Sequence, residues 1–426
     1  MLMNMTYKEI LPGIRLRVIE SSRFETNYFS VQFLSCATAS SASSMTLVPR
    51  VLRRGSLRHP DMEALAAALD DMFGARIEPV SRKYGDIITS GFICDFVDSD
   101  EKSLPSVMKL LGEIMFEVKT SDGAFLSDYV SGERSNLIDE IKSEINNKLS
   151  YAHRKATETM FSGSAYAISE LGTEEAAEAI DEVSLFDFYK KMVSSLPCEI
   201  FFCGSYSFDE IEREVIRLFS LCRRGEVKKL LRGELSYKDN ARITERLEVA
   251  QANLVVGMYA ETEEIYLYKL LAAVIGGGTT SKLFENVREK QSLCYFAGAM
   301  FDSFKKNLFM YCGIDPKNAE KAEKSLLAEL QSCIDGNITD EELSNAKKGM
   351  IDDLLITEDS PGAMEAFWLR ASIAEDDRTP LEVASEIKKF DSSSLARAAG
   401  ELKVSVTYLL TGLEGDGNER KLLSNS

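Results

Sequence analysis

GGGTTSKLFENVREKQSLCYFAG, residues 276–298, follows directly on the helical run EIYLYKLLAAVI at 264–275. Glycines at 276–278 permit positive φ and close backbone approach, Thr280 or Ser281 can cap a new helix, and Leu283, Phe284 and Val287 fall on its core-facing side. The short helix ends in Arg288, and seven residues later Tyr295 opens a strand. The glycine run lacks the GxxxxGK[ST] or strand-GxGxxG context of a phosphate loop, so nucleotide binding is not expected.

Outward from this stretch the chain repeats itself. LFDFYKKMVSSLPCEIFFCGS (185–205) has a weak counterpart in IKKFDSSSLARAAGELKVSVTYLLTG (387–412), each running helix, Leu-containing turn, apolar strand, Gly. Similarity near half the chain length implies duplicated domains, because solenoids repeat at about 20–50 residues. We expect an N-terminal domain at 1–222, a linker at 223–243 and a homologous domain at 244–426. The linker, RRGEVKKLLRGELSYKDNARI, reads as a solvated connection, with a docking patch for an acidic partner as the other reading.

In the first half, residues 25–35 alternate Phe29, Val31 and Phe33 with Ser30 and Gln32, the pattern of a strand buried on one face. Asp61 can cap a helix carrying Met62, Leu65, Ala66, Leu69, Met72 and Phe73, stopped by Gly74. Strand-like 86–97, helical 104–118 and about 122–148, and strand-like 195–205 complete an α+β order.

The 426 residues are 45% hydrophobic and 28% charged, ordinary globular composition with room for two cores. A net charge of -18 repels phosphate backbones and argues against nucleic acid as a partner. MLMNMTYKEILPGIRLRV shows neither a leader's basic and apolar regions nor a membrane span, so a cytoplasmic protein with no membrane partner is expected. The eight cysteines form no CxxC pair and sit mostly in apolar runs, which points to buried free thiols.

Residues 276–298 resemble the C-terminal-half signature of the insulinase/pitrilysin peptidases, with Arg288 and Tyr295 at matching spacing. SGSAYAISELGTEEAAEAIDEVSLFDFYKKM (162–192) is similar to the family's first-half segment, so the resemblance is near full-length. It implies an α+β fold of two homologous halves, each a mostly antiparallel sheet packed against helices, arranged as in the clamshell of the mitochondrial processing peptidase. Active members carry HxxEH on a helix: two histidines bind zinc, the glutamate activates water, and a distant glutamate is the third ligand.

Here that motif is absent. Setting the family's Gly-Thr on Gly55-Ser56 puts Thr46 and Arg50 at the ligand positions and Pro49 at the base position. Threonine is a poor neutral ligand, arginine is permanently cationic, and proline cannot take a proton from water. Glu140 stands at the third-ligand position with Glu133 two turns before it, and the favoured reading is a solvated acidic face. The only histidines, His59 and His153, are far apart and read as surface residues; no GxSxG elbow exists, and no cysteine has a histidine close in sequence.

The expected function is therefore that of a non-catalytic bacterial member, with no metal, no cofactor and no catalytic residue. The resemblance implies a heterodimer with an active HxxEH-containing homologue. It further implies that Arg288, Tyr295, Gly276, Gly277 and Gly278 contact peptide or unfolded polypeptide. A purely architectural role for Arg288 and Tyr295 stands beside this, as do two other functions: an independent peptidase with a rearranged zinc site, and a self-associating peptide-binding assembly module.

Overall fold

A computed structural model describes residues 4–230 and 233–413. These divide into two compact units, each built around one sheet. The first runs through Ser143, resumes over Ile168–Glu234 and takes in Thr357–Asp377; the second comprises Glu144–Ala167, Leu235–Ile356 and the chain from Arg378. Each unit thus includes a segment from outside the contiguous halves expected from the sequence.

The first unit holds β1 (Asn4–Leu11), β2 (Ile14–Glu20), β3 (Thr26–Cys36), β4 (Arg76–Tyr84), β5 (Ile87–Val97), a small hairpin of β6 (Thr120–Ser121) and β7 (Ala124–Phe125), and β8 (Cys198–Gly204). Its main sheet runs β1-β2-β8-β3-β5-β4. Only β2 and β8 are parallel, with Ile14 opposite Cys198; the other neighbours are antiparallel. The second unit holds β9 (Ala241–Leu247), β10 (Ala252–Tyr259), β11 (Cys294–Asp302), β12 (Asn307–Ile314) and β13 (Lys403–Gly412), in the order β11-β12-β10-β13-β9. Here too one pair is parallel, β13 with β9, and the rest are antiparallel. From the parallel pair onward, β2-β8-β3-β5-β4 and β9-β13-β10-β12-β11 follow the same topology. The α+β class with two homologous halves is therefore the fold of the chain, and the repeats at 185–205 and 387–412 end in the equivalent strands β8 and β13.

Strand β3 departs from the half-exposed reading, because it is central and buried on both faces. Its polar residues are satisfied inside: Ser30 Oγ donates to Glu365 Oε1 at 2.9 Å and Gln32 Nε2 donates to the Phe92 carbonyl at 3.4 Å. Gly91 of β5 faces this strand so closely that a Cβ would lie 1.9 Å from the Val31 carbonyl oxygen. The helix Met62–Asp70 forms as read, with Asp61 accepting from the Ala64 N–H and Gly74 at φ +72°, but its stripe ends at Leu69, since Met62 and Phe73 are exposed. The helical stretch at 122–148 splits into Ser127–Ser143, one tight turn, and the start of Lys148–Met160.

Two helices cover sheets belonging to the other half of the sequence. Helix Lys148–Met160 lies on the second sheet, where Ala152, Ala156 and Met160 pack with Val255, Phe309, Val406 and Tyr408. Its Tyr151 and strand residue Tyr408 both donate hydroxyl bonds to Glu245. Helix Pro361–Ala374 lies on the first sheet, where Met364, Trp368 and Ala371 pack with Ile19, Tyr28, Phe201 and Cys203. Its Glu365, fully buried, is held by the Arg82 guanidinium.

The 223–230 segment is anchored more than a solvated linker would be. The Arg224 guanidinium donates to the carbonyls of Val193 and Leu196 at 3.0 and 2.8 Å, closing the end of helix Glu182–Ser195. All eight cysteines are free thiols. No helix among the described residues is long and apolar enough to cross a membrane.

Candidate functional site

The helix Ala39–Leu52 carries the positions where zinc chemistry would reside. Thr38 and Ser41 start it with reciprocal side-chain caps on each other's backbone N–H. Thr46 is buried and its hydroxyl is spent within the chain, donating to the Glu170 carbonyl at 3.2 Å. Pro49 lies inside the helix, where a proline has no N–H for the carbonyl four residues earlier. That carbonyl belongs to Met45, and the buried hydroxyl of Ser90, from β5, donates to it instead. The helix therefore continues through the proline with its bonding complete.

One turn further on, Arg50 forms a two-pronged ion pair with Glu140, Nη1 to Oε1 at 2.7 Å and Nη2 to Oε2 at 2.9 Å. Arg54 reaches Glu133 at 3.2 Å, and Arg53 Nε donates to the Ile77 carbonyl at 2.7 Å. Arg50 in the last turn of the helix and Arg54 just past its end thus face glutamates seven apart on helix Ser127–Ser143, a spacing that keeps both carboxylates on one side. Glu140 is exposed, as the solvated reading has it, while Glu133 is half-buried, and both are bound to the arginines opposite. The signal was present in the Arg50/Arg54 spacing, but spacing within a helix does not say which helix lies across from it.

These residues do not fit a zinc ion. Thr46 has given its hydroxyl to a carbonyl, Arg50 places a permanent cation on the only carboxylate at a ligand position, and Pro49 has no basic atom. Among the described residues no group of three or more His, Cys, Asp or Glu side chains could hold a metal. His59 Nδ1 lies 3.0 Å from Glu113 Oε2. His153 is only partly exposed: it packs against the Phe309 ring at 4.4 Å, its Nε2 has no hydrogen-bond partner, and burial lowers its pKa from the ordinary 6.5.

The second-half residues are distributed over separate surroundings. Tyr295 is 66% exposed and lines a cavity of about 1060 Å³ with Thr244, Lys317 and Thr411. Arg288 stacks over Phe284 at 4.6 Å and approaches Glu289 at 3.7 Å. Gly277 and Gly278 line a different cavity, of about 270 Å³. None of the three glycines adopts positive φ; Gly276 is demanded by close approach, since a Cβ would lie 2.2 Å from the Ala299 backbone nitrogen. The short helix Leu283–Lys290 is wound in wide π turns, and Ser281 donates its hydroxyl to the Gly278 carbonyl without capping it. Lys282, unremarked in the sequence, is buried and pairs with Glu342 at 2.9 Å.

Residues 179–350 match the peptidase M16 inactive domain. Over this segment the chain is similar to the peptidase M16 family. M16 is the family of the insulinase/pitrilysin resemblance. The chain is 23% identical, over 95% of its length and 97% of the relative's, to the "Probable inactive metalloprotease YmfF" of Bacillus subtilis. It is 26% identical to an "Uncharacterized zinc protease" of Streptomyces coelicolor over 51% of this chain and 50% of that protein. Its fold matches that of a conserved protein from Enterococcus faecalis with a TM-score of 0.86 at 24% identity, covering 97% of this chain and 100% of that one. A peptidase M16 inactive domain structure from Pseudomonas fluorescens matches with a TM-score of 0.80 at 15% identity, over 96% and 98%. The chain is non-catalytic: ligand and base positions alike hold residues that cannot perform the zinc peptidase chemistry.

Proposed function

We propose that this M16 homologue is the non-catalytic subunit of a peptidase complex in the cytoplasm, binding polypeptide on its second unit for a partner that carries an intact HxxEH site. The observation that supports it is the fate of the zinc helix: an ion pair stands at the ligand positions while both sheets of the family fold are complete. A chain that had merely lost selection for binding would have no reason to keep Tyr295 open on a large cavity. Eight free thiols agree with a reducing compartment.

The test is purification of the tagged full chain from its own cells, followed by reconstitution. An HxxEH-containing homologue should co-purify at equimolar ratio, and the pair should hydrolyse peptides in a zinc-dependent manner. Arg288→Ala with Tyr295→Phe should lower that activity about tenfold, or about 1.4 kcal/mol, with Tm unchanged. A chain that purifies alone or only with itself, or that hydrolyses peptides unaided with bound zinc, would overturn the proposal.

A further inference from the structure

We infer that the second unit carries a site for one bulky apolar side chain of a neutral polypeptide, in the cleft between helices Ile265–Gly276 and Asp340–Ile356. This inference deepens the polypeptide-binding reading above and rests on it.

The two helices are the topological counterparts of the zinc-position pair. Helix Ile265–Gly276 follows β10 as helix Ala39–Leu52 follows β3, and helix Asp340–Ile356 is the second long helix after β12 as Ser127–Ser143 is after β5. In the first unit four long charged side chains cross the gap between the pair. In the second the corresponding surface is lined by Ala272, Ala273, Gly277, Ala346 and Gly349, and a cavity of about 270 Å³ remains.

Gly349 is the informative residue. A glycine inside a helix costs about 0.5–1 kcal/mol relative to alanine. Nothing in the chain requires it: a Cβ built there meets no atom within 4 Å, and its φ is not positive. Its effect is to keep one wall of the cleft open.

The lining defines what fits. Met300, Phe301 and Met350 give an apolar, adaptable surface, with Met300 47% exposed. The charged groups are already engaged: Glu342 with Lys282 at 2.9 Å, Lys269 over the Tyr266 ring at 5.0 Å, and Asp353 within the chain. An ionic ligand would compete with these existing contacts. Thr280, Asn345 and the exposed backbone at Gly278 supply neutral groups of the kind that meet peptide amides. Small-molecule sites usually span about 300–1,000 Å³, so this cavity suits one side chain with its flanking backbone and not a nucleotide-sized cofactor.

The probe is acetyl-Ala-photoleucine-Ala-amide, irradiated with the purified full chain and mapped by mass spectrometry. Cross-links should fall on the segments containing Met300 and Met350. Blocked tripeptides centred on Leu, Met or Phe should compete; those centred on Asp or Lys should not. Gly349→Leu should reduce cross-linking at least tenfold with Tm unchanged or raised, since leucine fills the cleft and favours the helix. Cross-links at these segments that survive Gly349→Leu overturn the site. Cross-links confined to the Tyr295 cavity overturn it while leaving the polypeptide-binding proposal standing, and absence of labelling at both places overturns the two together.

Discussion

Helices Ala39–Leu52 and Ser127–Ser143 are tied by two arginine–glutamate pairs, whereas Ile265–Gly276 and Asp340–Ile356, at the same place in a sheet of the same topology, are separated by a cleft lined with small residues. The difference shows two ways a duplicated scaffold can stand without a metal. A guanidinium is a planar, permanent cation whose fork matches a carboxylate, so Arg50 occupies Glu140 as a metal would while offering no chemistry. The second unit leaves its gap open and keeps its anchoring elsewhere, through tyrosine hydroxyls on Glu245. Charge crosses the helix pair of the first unit; in the second unit the ion pair of Glu342 with Lys282 lies beside the cleft and leaves it open.

That contrast can be broken most severely under the helix Pro361–Ala374. Glu365→Ala strips Arg82 and Ser30 of the buried carboxylate they share and should destabilise by about 3–5 kcal/mol, read as loss of denaturation free energy. Glu245→Gln in the second unit keeps acceptors and donors for Tyr151 and Tyr408 and should cost only about 1 kcal/mol. Equal losses would end the distinction.

The proline-bearing helix sharpens it next. Ser90→Ala strips the Met45 carbonyl of its donor and should cost about 1–3 kcal/mol. Adding Pro49→Ala restores an N–H to that carbonyl, so the double variant should recover most of the loss; a double variant no better than the single would remove Ser90 from the role given to it.

His153 tests the neutral side of the comparison through pH. Burial lowers its folded pKa, so the unfolded chain binds the proton first. The stability it allows is therefore fully present above pH 6.5 and lost as pH falls toward the folded pKa, at up to about 1.4 kcal/mol per pH unit. His153→Met should remove that part of the acid slope in urea titrations at successive pH values, and an unchanged slope would refute the buried neutral state.

The smallest effect belongs to the ion pair at the ligand positions. Arg50 is 23% and Glu140 47% exposed, so a double-mutant cycle on the two should give only about 0.2–1 kcal/mol of coupling, less in high salt. Added zinc or a chelator should leave Tm where it is. A coupling of several kcal/mol, or stabilisation by zinc, would show a site of another kind.

Much of this was legible in the sequence. The repeated strand at 195–205 and 403–412 announced the duplication, and Thr46, Pro49 and Arg50 announced the loss of chemistry. What was hidden involves pairs of distant residues. Alternation in β3 correctly marked a strand but could not reveal that Glu365, more than three hundred residues later, would receive Ser30 and bury the polar face. Nor could proline at 49 name Ser90 as the donor that rescues its helix. His153 looked like a surface residue because nothing in YAHRK discloses Phe309 against it. In each case the missing term is tertiary, set by which element is laid across another.

The helices laid over each sheet also constrain the order of events at the ribosome. The first sheet acquires its last strand when Gly204 emerges, yet the helix that covers Tyr28, Phe201 and Glu199's strand begins only at Pro361. At about 5–20 residues per second, that apolar face waits on the order of ten seconds for its cover. During synthesis that face therefore forms long before its cover exists, and a fragment ending at 222 would lack the cover altogether.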